Sequence, residues 1–165
     1  MTLSAAQRKR IDFFLEDEWV DEDDDEIATA ENLARLLGEV ESAEELHVMV
    51  AEFNWDTEGE TVLTILKHPL CDVATTLLAY WRSGPRYYSR FANEAEIDAE
   101  YMIEGWELVQ KLHAAVEARL GERASIRFDP ANDATSDGYD WTADYRDAMR
   151  ATPVYEVPPA FERAV

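Results

Sequence analysis

The amino-acid sequence predicts a mainly α-helical fold, a helical bundle or stacked helix pairs, with an irregular C-terminal wrap and at most one or two short strands. Apolar residues recur at intervals of three and four in several long segments, which is the period of an amphipathic helix. Ser4–Gln7 and Ser42–Glu45 have the spacing of a capping box, which opens a helix. The last forty or so residues are rich in proline, aspartate, asparagine and threonine, which favour turns.

The N-terminal part, residues 1–40, is expected to form two acidic helices. The first should end near Trp19, because residues 16–26 place nine acidic side chains among eleven, and like charges four residues apart repel along a helix. That run is predicted to be a solvated link, followed by a second helix over residues 27–37. The inward-facing positions are expected to be Ile11, Phe14 and Leu15 in the first helix and Ile27, Ala30, Leu33, Ala34 and Leu37 in the second.

Residues 44–120 are predicted to be the helical core. A first helix follows Ser42, with apolar residues at positions 46, 49, 50 and 53. Residues 61–66 suit a short helix, although their β-branched content also permits a strand. Pro69 suits the first turn of the next helix, which runs to Trp81 with the most regular apolar spacing of the chain. The longest helical pattern extends from Asn93 to Leu120.

The C-terminal part, residues 121–165, is expected to wrap around the helices as an irregular tail. Residues 124–128 suit one short strand. With 165 residues and 47% hydrophobic composition, residues 1–165 are expected to form a single domain. The N-terminus lacks the pattern of an export signal, and a single cysteine suits a reducing compartment, so a cytoplasmic location is predicted.

The net charge of −21 is the most extreme property of the composition. The field of such a charge repels phosphate backbones and anionic lipids, which disfavours binding to nucleic acid or to a membrane surface. The same field attracts basic proteins and accelerates encounters with them. Two simpler interpretations remain open, namely that the charge only maintains solubility or that it reflects adaptation to salt or to a GC-rich genome.

The segment Leu46–Trp81 resembles DUF4274, a bacterial family of domains of unknown function, over about residues 44–92. The family's hallmark is a Leu-His pair, an aromatic-Asn-Trp-Asp-Asp-Gly turn and a Pro-x-Cys-Asp-x-Ala-Thr helix opening. Thr57-Glu58 makes the turn one residue longer than in the family, and His68 replaces an asparagine that usually precedes the proline. The matching positions are Leu46, His47, Ala51, Phe53, Asn54, Trp55, Asp56, Gly59, Pro69, Cys71, Asp72, Ala74, Thr75 and Leu77.

The turn at Asn54–Glu60 is the candidate partner-binding site. Trp55 is predicted to be an aromatic anchor, and Asp56, Glu58 and Glu60 to contact a cationic partner. The structural alternative is that Asn54 and Asp56 cap the neighbouring helices while Trp55 packs between them.

Three other patterns of reactive or ligating residues are incomplete, and neither a catalytic residue nor a cofactor or metal site is predicted. Glu44 and His47 have the Glu-x-x-His spacing of di-iron bundles, but the second copy that such a site requires is absent from the sequence. Cys71 follows His68 closely but has the spacing of a packed residue. Residues 133–144 match a calcium loop in part, yet position 12 is Asp144 instead of glutamate.

The expected function is therefore that of an acidic protein-binding module. The resemblance to DUF4274 suggests an immunity-type inhibitor of a basic bacterial toxin or nuclease, because such acidic bacterial proteins often include immunity partners of toxins. A small carboxylate-dependent hydrolase and a structural or oligomer-forming subunit are the alternatives. The oligomeric state is left open.

Overall fold

The computed structural model describes residues 3–21, 23, 25–56, 59–151 and 156–165. The described residues are mainly helical, as predicted, and contain no β-strand beyond one isolated bridge between Asp133 and Tyr139. Their α-helices are α1 (Ala5–Leu15), α2 (Glu26–Gly38), α3 (Ala43–Glu52), α4 (Glu60–Leu66), α5 (Val73–Arg82), α6 (Pro85–Tyr88), α7 (Glu100–Arg119) and α8 (Trp141–Ala151).

The helix α1 begins as predicted but ends earlier. Both bonds of the capping box form, because Gln7 N–H donates to Ser4 Oγ at 3.2 Å and Ser4 N–H donates to Gln7 Oε1 at 2.8 Å. The helix ends at Leu15, four residues before Trp19. Asp17 has a φ of 56°, the left-handed conformation that terminates helices and that aspartate tolerates better than most residues.

The helix α2 occupies its predicted place, but its inner face differs from the prediction. Leu33, Leu36 and Leu37 are buried, whereas Ile27, predicted to face the interior, is 74% exposed. Ile27 lies in the first turn, directly after the cap Asp25, whose carboxylate accepts hydrogen bonds from the N–H groups of Ile27 and Ala28. The apolar stripe that packs against the core therefore begins only at the third turn of the helix.

The helix α5 is the centre of the fold. Every residue from Val73 to Trp81 is buried, and α5 packs against α3 on one side and α7 on another. The buried face of α3 includes Leu46, Met49 and Val50, three of the four predicted positions.

Asp72 explains why α5 does not begin at Pro69. One carboxylate oxygen accepts hydrogen bonds from Ala74 N–H at 3.0 Å and Thr75 N–H at 3.2 Å, which is the geometry of an N-cap. The other oxygen accepts bonds from Ser125 N–H, Ser125 Oγ–H and Ile126 N–H at 2.7–3.1 Å. Asp72 therefore starts α5 and also attaches residues 125–126 to its N-terminus.

The C-terminal predictions need three corrections. The predicted helix from Asn93 to Leu120 is interrupted: Asn93 caps a 3-10 turn at Glu94–Glu96, and α7 begins at Glu100. Residues 124–128 do not form a strand, although Phe128 and Val165 exchange two backbone hydrogen bonds. The tail contains the helix α8, because Asp140 accepts bonds from Thr142 Oγ–H and Ala143 N–H and so caps it.

One cluster of buried apolar side chains connects these elements, from Ile11 and Phe14 of α1 to Val157 and Phe161 of the tail. Trp81 of α5 donates its indole N–H to the carbonyl of Phe161 at 2.9 Å, so the tail completes the core. Among the described residues no helix has both the length and the apolar character needed to cross a bilayer.

Candidate partner-binding face

The turn after α3 has the local structure that its sequence predicts. Helix α3 ends at Glu52, and Asp56 N–H donates to Asn54 Oδ1 at 3.2 Å, which closes an Asx turn. Gly59 follows where the chain passes α7, and a Cβ at this position would collide with Leu108. A larger residue here would therefore have to displace the Leu108 side chain.

Trp55 lies half-buried against the core. Its ring meets Phe53 edge to face with the centroids 5.6 Å apart, and its indole nitrogen is buried. Trp55 thus contributes to packing, as the structural alternative expected, while part of its side chain reaches the surface.

The carboxylates of the turn lie at the surface. Asp56 is exposed, and Glu60 begins α4, where it forms an ion pair with Lys111 of α7 at 2.6 Å. The pair leaves 70% of the Glu60 side chain exposed. Glu58 lies outside the described residues.

Residues 16–25, which we call the acidic connector, link α1 to α2, and the structure describes residues 16–21, 23 and 25 of them. Trp19 donates its indole N–H to the carbonyl of Phe14 at 3.0 Å and is buried. Asp21 N–H donates to Thr29 Oγ1 at 3.0 Å, and Asp25 caps α2. Hydrogen bonds to the two helices therefore hold Trp19, Asp21 and Asp25 in place.

The carboxylates of the acidic connector have no basic partner among the described residues. The described acidic side chains of the connector and of Glu26 form none of the ion pairs seen elsewhere in the structure. By contrast, Arg8 and Arg10 of α1 bind carboxylates of α3 and of the segment before it. The carboxylates without an ion pair, those of the described connector residues and of Glu26, are Glu16, Asp17, Glu18, Asp21, Asp23, Asp25 and Glu26.

A row of four aromatic rings links the acidic connector to the Trp55 turn. Trp19 stacks on Phe14 and Phe14 on Phe53, each pair with centroids 6.1 Å apart, and Phe53 contacts Trp55. The row therefore connects, through packed rings, two acidic segments that are some thirty residues apart in the chain. We call the surface formed by the acidic connector, Asp56 and Glu60 the acidic face.

Two exposed apolar side chains flank the charges of the acidic connector. Val20 is 38% exposed and Ile27 is 74% exposed. Ile27 was predicted to face the interior, and no role was predicted for Val20. The acidic run alone does not identify Val20 as exposed, because the adjacent Trp19 in the same run is buried.

His47 and Glu44 of α3 do not form a metal site with other residues. His47 is buried and its Nδ1 hydrogen-bonds Thr75 Oγ1 of α5 at 3.1 Å. Within the described ranges no cluster of three or more His, Cys, Asp or Glu side chains is arranged to hold a metal ion. His47 therefore joins α3 to α5, two helices that carry part of the sequence pattern described above.

Burial lowers the pKa of His47 below its usual 6.5, an effect that outweighs the nearby carboxylates of Asp72 and Asp133. Below about pH 6.5 the unfolded chain binds a proton at this residue that the folded protein does not bind, so acidification favours unfolding. We expect the free energy of unfolding to fall between about pH 6.5 and pH 5.5 by at most about 1.4 kcal/mol per pH unit from this residue. Urea titrations across that range should show a flatter pH dependence for His47→Gln.

The matched control is His68→Gln, since His68 is only partly buried and its Nδ1 accepts a hydrogen bond from Leu70 N–H. The change in slope should be larger for His47→Gln than for this variant. If the free energy of unfolding changed equally with pH in His47→Gln and the parent protein, this pH dependence would not arise from His47.

Cys71 has the environment of a packed residue. Burial raises the pKa of the Cys71 thiol, which outweighs the opposing effect of Arg119, so the reactive thiolate is disfavoured. The Cys71 carbonyl accepts a hydrogen bond from Arg119 Nη2 at 2.6 Å.

Two aspartates of the calcium-like loop, residues 133–144, form ion pairs with arginines. Asp133, at its first position, is fully buried and accepts hydrogen bonds from Arg82 Nη2 at 3.2 Å and Trp141 Nε1 at 3.0 Å. Its second oxygen accepts bonds from Thr135 N–H and Oγ–H at 2.8 and 2.6 Å. Asp144, at the twelfth position, forms an ion pair with Arg86. The first and last carboxylates of the loop are thus both neutralised by protein side chains.

Comparison with known proteins gives one match. The chain matches the family model described as "Domain of unknown function (DUF4274)" over residues 41–116. Neither a curated protein nor a solved structure matched the chain. The matched range extends from the residue before the Ser42 cap to the last turns of α7 and includes the Trp55 turn and Asp72. Residues 41–116 of this chain are therefore similar to the DUF4274 domain, which confirms the resemblance predicted from the sequence.

Proposed function

We propose that the protein is an acidic protein-binding module whose acidic connector binds a basic partner. The observation that carries the proposal is the density of carboxylates in the acidic connector, which has no basic partner among the described residues. Its backbone is held by the bonds of Trp19 and Asp21, so the charges are presented without a large ordering cost.

Val20 and Ile27 give this surface short-range contacts in addition to charge. Interfaces derive most of their affinity from a few apolar or aromatic anchors, whereas surrounding charges mainly determine the association rate and the choice of partner. The two exposed apolar side chains lie among or beside the unpaired carboxylates. This arrangement favours a basic partner that also has an apolar contact point.

The Trp55 turn is proposed as the second edge of the same interface. The aromatic row links it to the acidic connector, and Asp56 adds a further exposed charge, which supports this proposal. Trp55 would contribute the exposed part of its ring, and Glu60 would contribute the surface that Lys111 leaves open. The predicted role of Glu58 stays a prediction.

A nuclease or another toxin that acts on nucleic acid is the partner class that we favour. The substrate surface of such an enzyme is basic because it neutralises closely spaced phosphates. The nine closely spaced carboxylates of residues 16–26 suit the same surface and would compete with the substrate. The likeness of DUF4274 proteins to small acidic immunity proteins supports this form of the proposal.

The test measures binding of the whole protein to the basic products of its neighbouring genes at about 0.05 and about 0.5 M salt. We expect the affinity to fall strongly at the higher concentration, because the Debye length shortens from more than 10 Å to about 4 Å. The variant Glu16→Gln, Asp17→Asn, Glu18→Gln, Asp23→Asn should bind at least about tenfold more weakly.

The matched control removes the same number of charges from exposed positions outside the acidic face, in the variant Glu94→Gln, Glu96→Gln, Asp98→Asn, Asp137→Asn. It should retain most of the affinity if the acidic connector is the site. Equal losses in both variants would show that only the net charge matters, and an affinity that ignores salt would contradict the proposal. If the partner is a nuclease, its inhibition should follow the same order.

A further inference from the structure

A cavity lies between α3 and the C-terminal segment, on residues that the acidic face does not use. Its volume is about 260 Å³, and His47 of α3 lines it together with residues 127–129 and 132–135. A cavity of about 150 Å³ is large enough to hold benzene, so this one has room for a somewhat larger small molecule.

His47 gives the cavity a buried polar wall. The residue is 1% exposed, and its Nδ1 is engaged by Thr75 Oγ1. Its Nε2 has no hydrogen bond to the described residues, so it is available for one. A polar group of a ligand in the cavity would supply that bond.

Arg127, which is exposed, and Asp129, which is half-buried, are the two cavity-lining charges without an ion pair among the described residues. They are two positions apart in a non-helical segment, on either side of the buried Phe128. Neither forms an ion pair among the described residues, and Asp129 uses only Oδ1, which accepts a hydrogen bond from Ala131 N–H. The remaining charge on the wall, Asp133, is neutralised by Arg82.

We propose that this cavity binds a free α-amino acid, with the ligand carboxylate on Arg127, its ammonium group on Asp129 and its side chain towards His47. A zwitterion is the ligand class that matches one unpaired positive and one unpaired negative group beside a small cavity. A net anion would be repelled by a protein of net charge −21. A net cation would leave Arg127 without a partner.

The experiment is calorimetric titration of the whole chain with each of the common L-amino acids at about pH 7.5, where histidine is ordinarily neutral. At least one should give saturable heat. Its N-acetyl and carboxamide derivatives, which each lack one charge, should bind at least about tenfold more weakly. Arg127→Gln and Asp129→Asn should each weaken binding by a similar factor without changing the melting temperature or the circular dichroism spectrum.

The matched controls are Arg123→Gln and Asp137→Asn, exposed residues of the same segment that do not line the cavity. They should bind the amino acid as the parent protein does. The absence of saturable heat with every amino acid would overturn the proposal, as would unchanged binding of both derivatives or equal losses in the control variants. The proposal is independent of the acidic face, so the four-site acidic-connector variant should bind the amino acid normally.

Discussion

Replacement of Glu45 by alanine is expected to lower the free energy of unfolding by about 3 kcal/mol. The Glu45 side chain is fully buried between α1 and α3, where it accepts hydrogen bonds from Arg10 Nε at 2.9 Å, Gln7 Nε2 at 3.0 Å and Glu41 N–H at 2.9 Å. Its removal leaves a partly buried guanidinium without its closest counter-ion. The value lies at the low end for broken buried pairs because Arg10 is 16% exposed and can regain some hydration.

The control for this prediction is Glu52→Ala, which removes an ion pair between the same two helices. Glu52 binds Arg8 at 2.9 Å, but both side chains are more than 40% exposed, so the loss should stay below about 1 kcal/mol. Denaturation by urea measures both values. Similar losses for the two variants would show that the burial of Glu45 does not increase the contribution of its ion pair to the free energy of unfolding.

The second large effect is expected for Asp72→Ala, with a loss of about 2 to 3 kcal/mol. An ordinary N-cap contributes about 1 kcal/mol, and the additional loss comes from the three hydrogen bonds that Ser125 and Ile126 donate to the other oxygen. Asp25→Ala is the matched control, since Asp25 caps α2 but accepts no hydrogen bond from a distant segment among the described residues. Equal losses for both variants would contradict the double role of Asp72.

The pH dependence of Asp72 gives a further readout of the same prediction. Burial of the carboxylate favours its neutral form, but the hydrogen bonds from Ser125, Ile126 and Thr75 outweigh that effect and lower the pKa of Asp72 below 3.8. Its stabilising contribution is therefore complete above about pH 4 and is lost as the pH falls through the lowered pKa. Asp72→Ala should lose less stability than the parent protein between about pH 4 and pH 2.

The helices were predictable where apolar period and local caps agree. Ser4 and Ser42 form their expected caps, and α3 and α5 bury their periodic faces. The predicted start of α5 was wrong, because Pro69 and Asp72 are competing start signals. Asp72 caps the helix and also binds a distant segment, and this outweighs the preference of proline for a first turn. The distant bonds to Ser125 and Ile126 are invisible in local spacing.

The acidic face was predictable only in part. The sequence showed the charge of residues 16–26 and the turn at Trp55, but the ring contacts that connect them depend on the packing of α1 against α3. The cavity beside His47 was not predicted, because it depends on how the C-terminal segment covers α3 and α5. Long-range contacts of this kind leave no periodic signal in a single sequence.

The bond between the Trp81 indole and the Phe161 carbonyl joins residues that are 80 positions apart. During synthesis the central helix therefore emerges long before its last core partner. Until Phe161 follows, Trp81 and its neighbours expose apolar surface, which is the condition in which nascent chains aggregate or recruit chaperones. The docking of the tail therefore comes after the emergence of α5, and the sequence separation of its contacts favours slow closure.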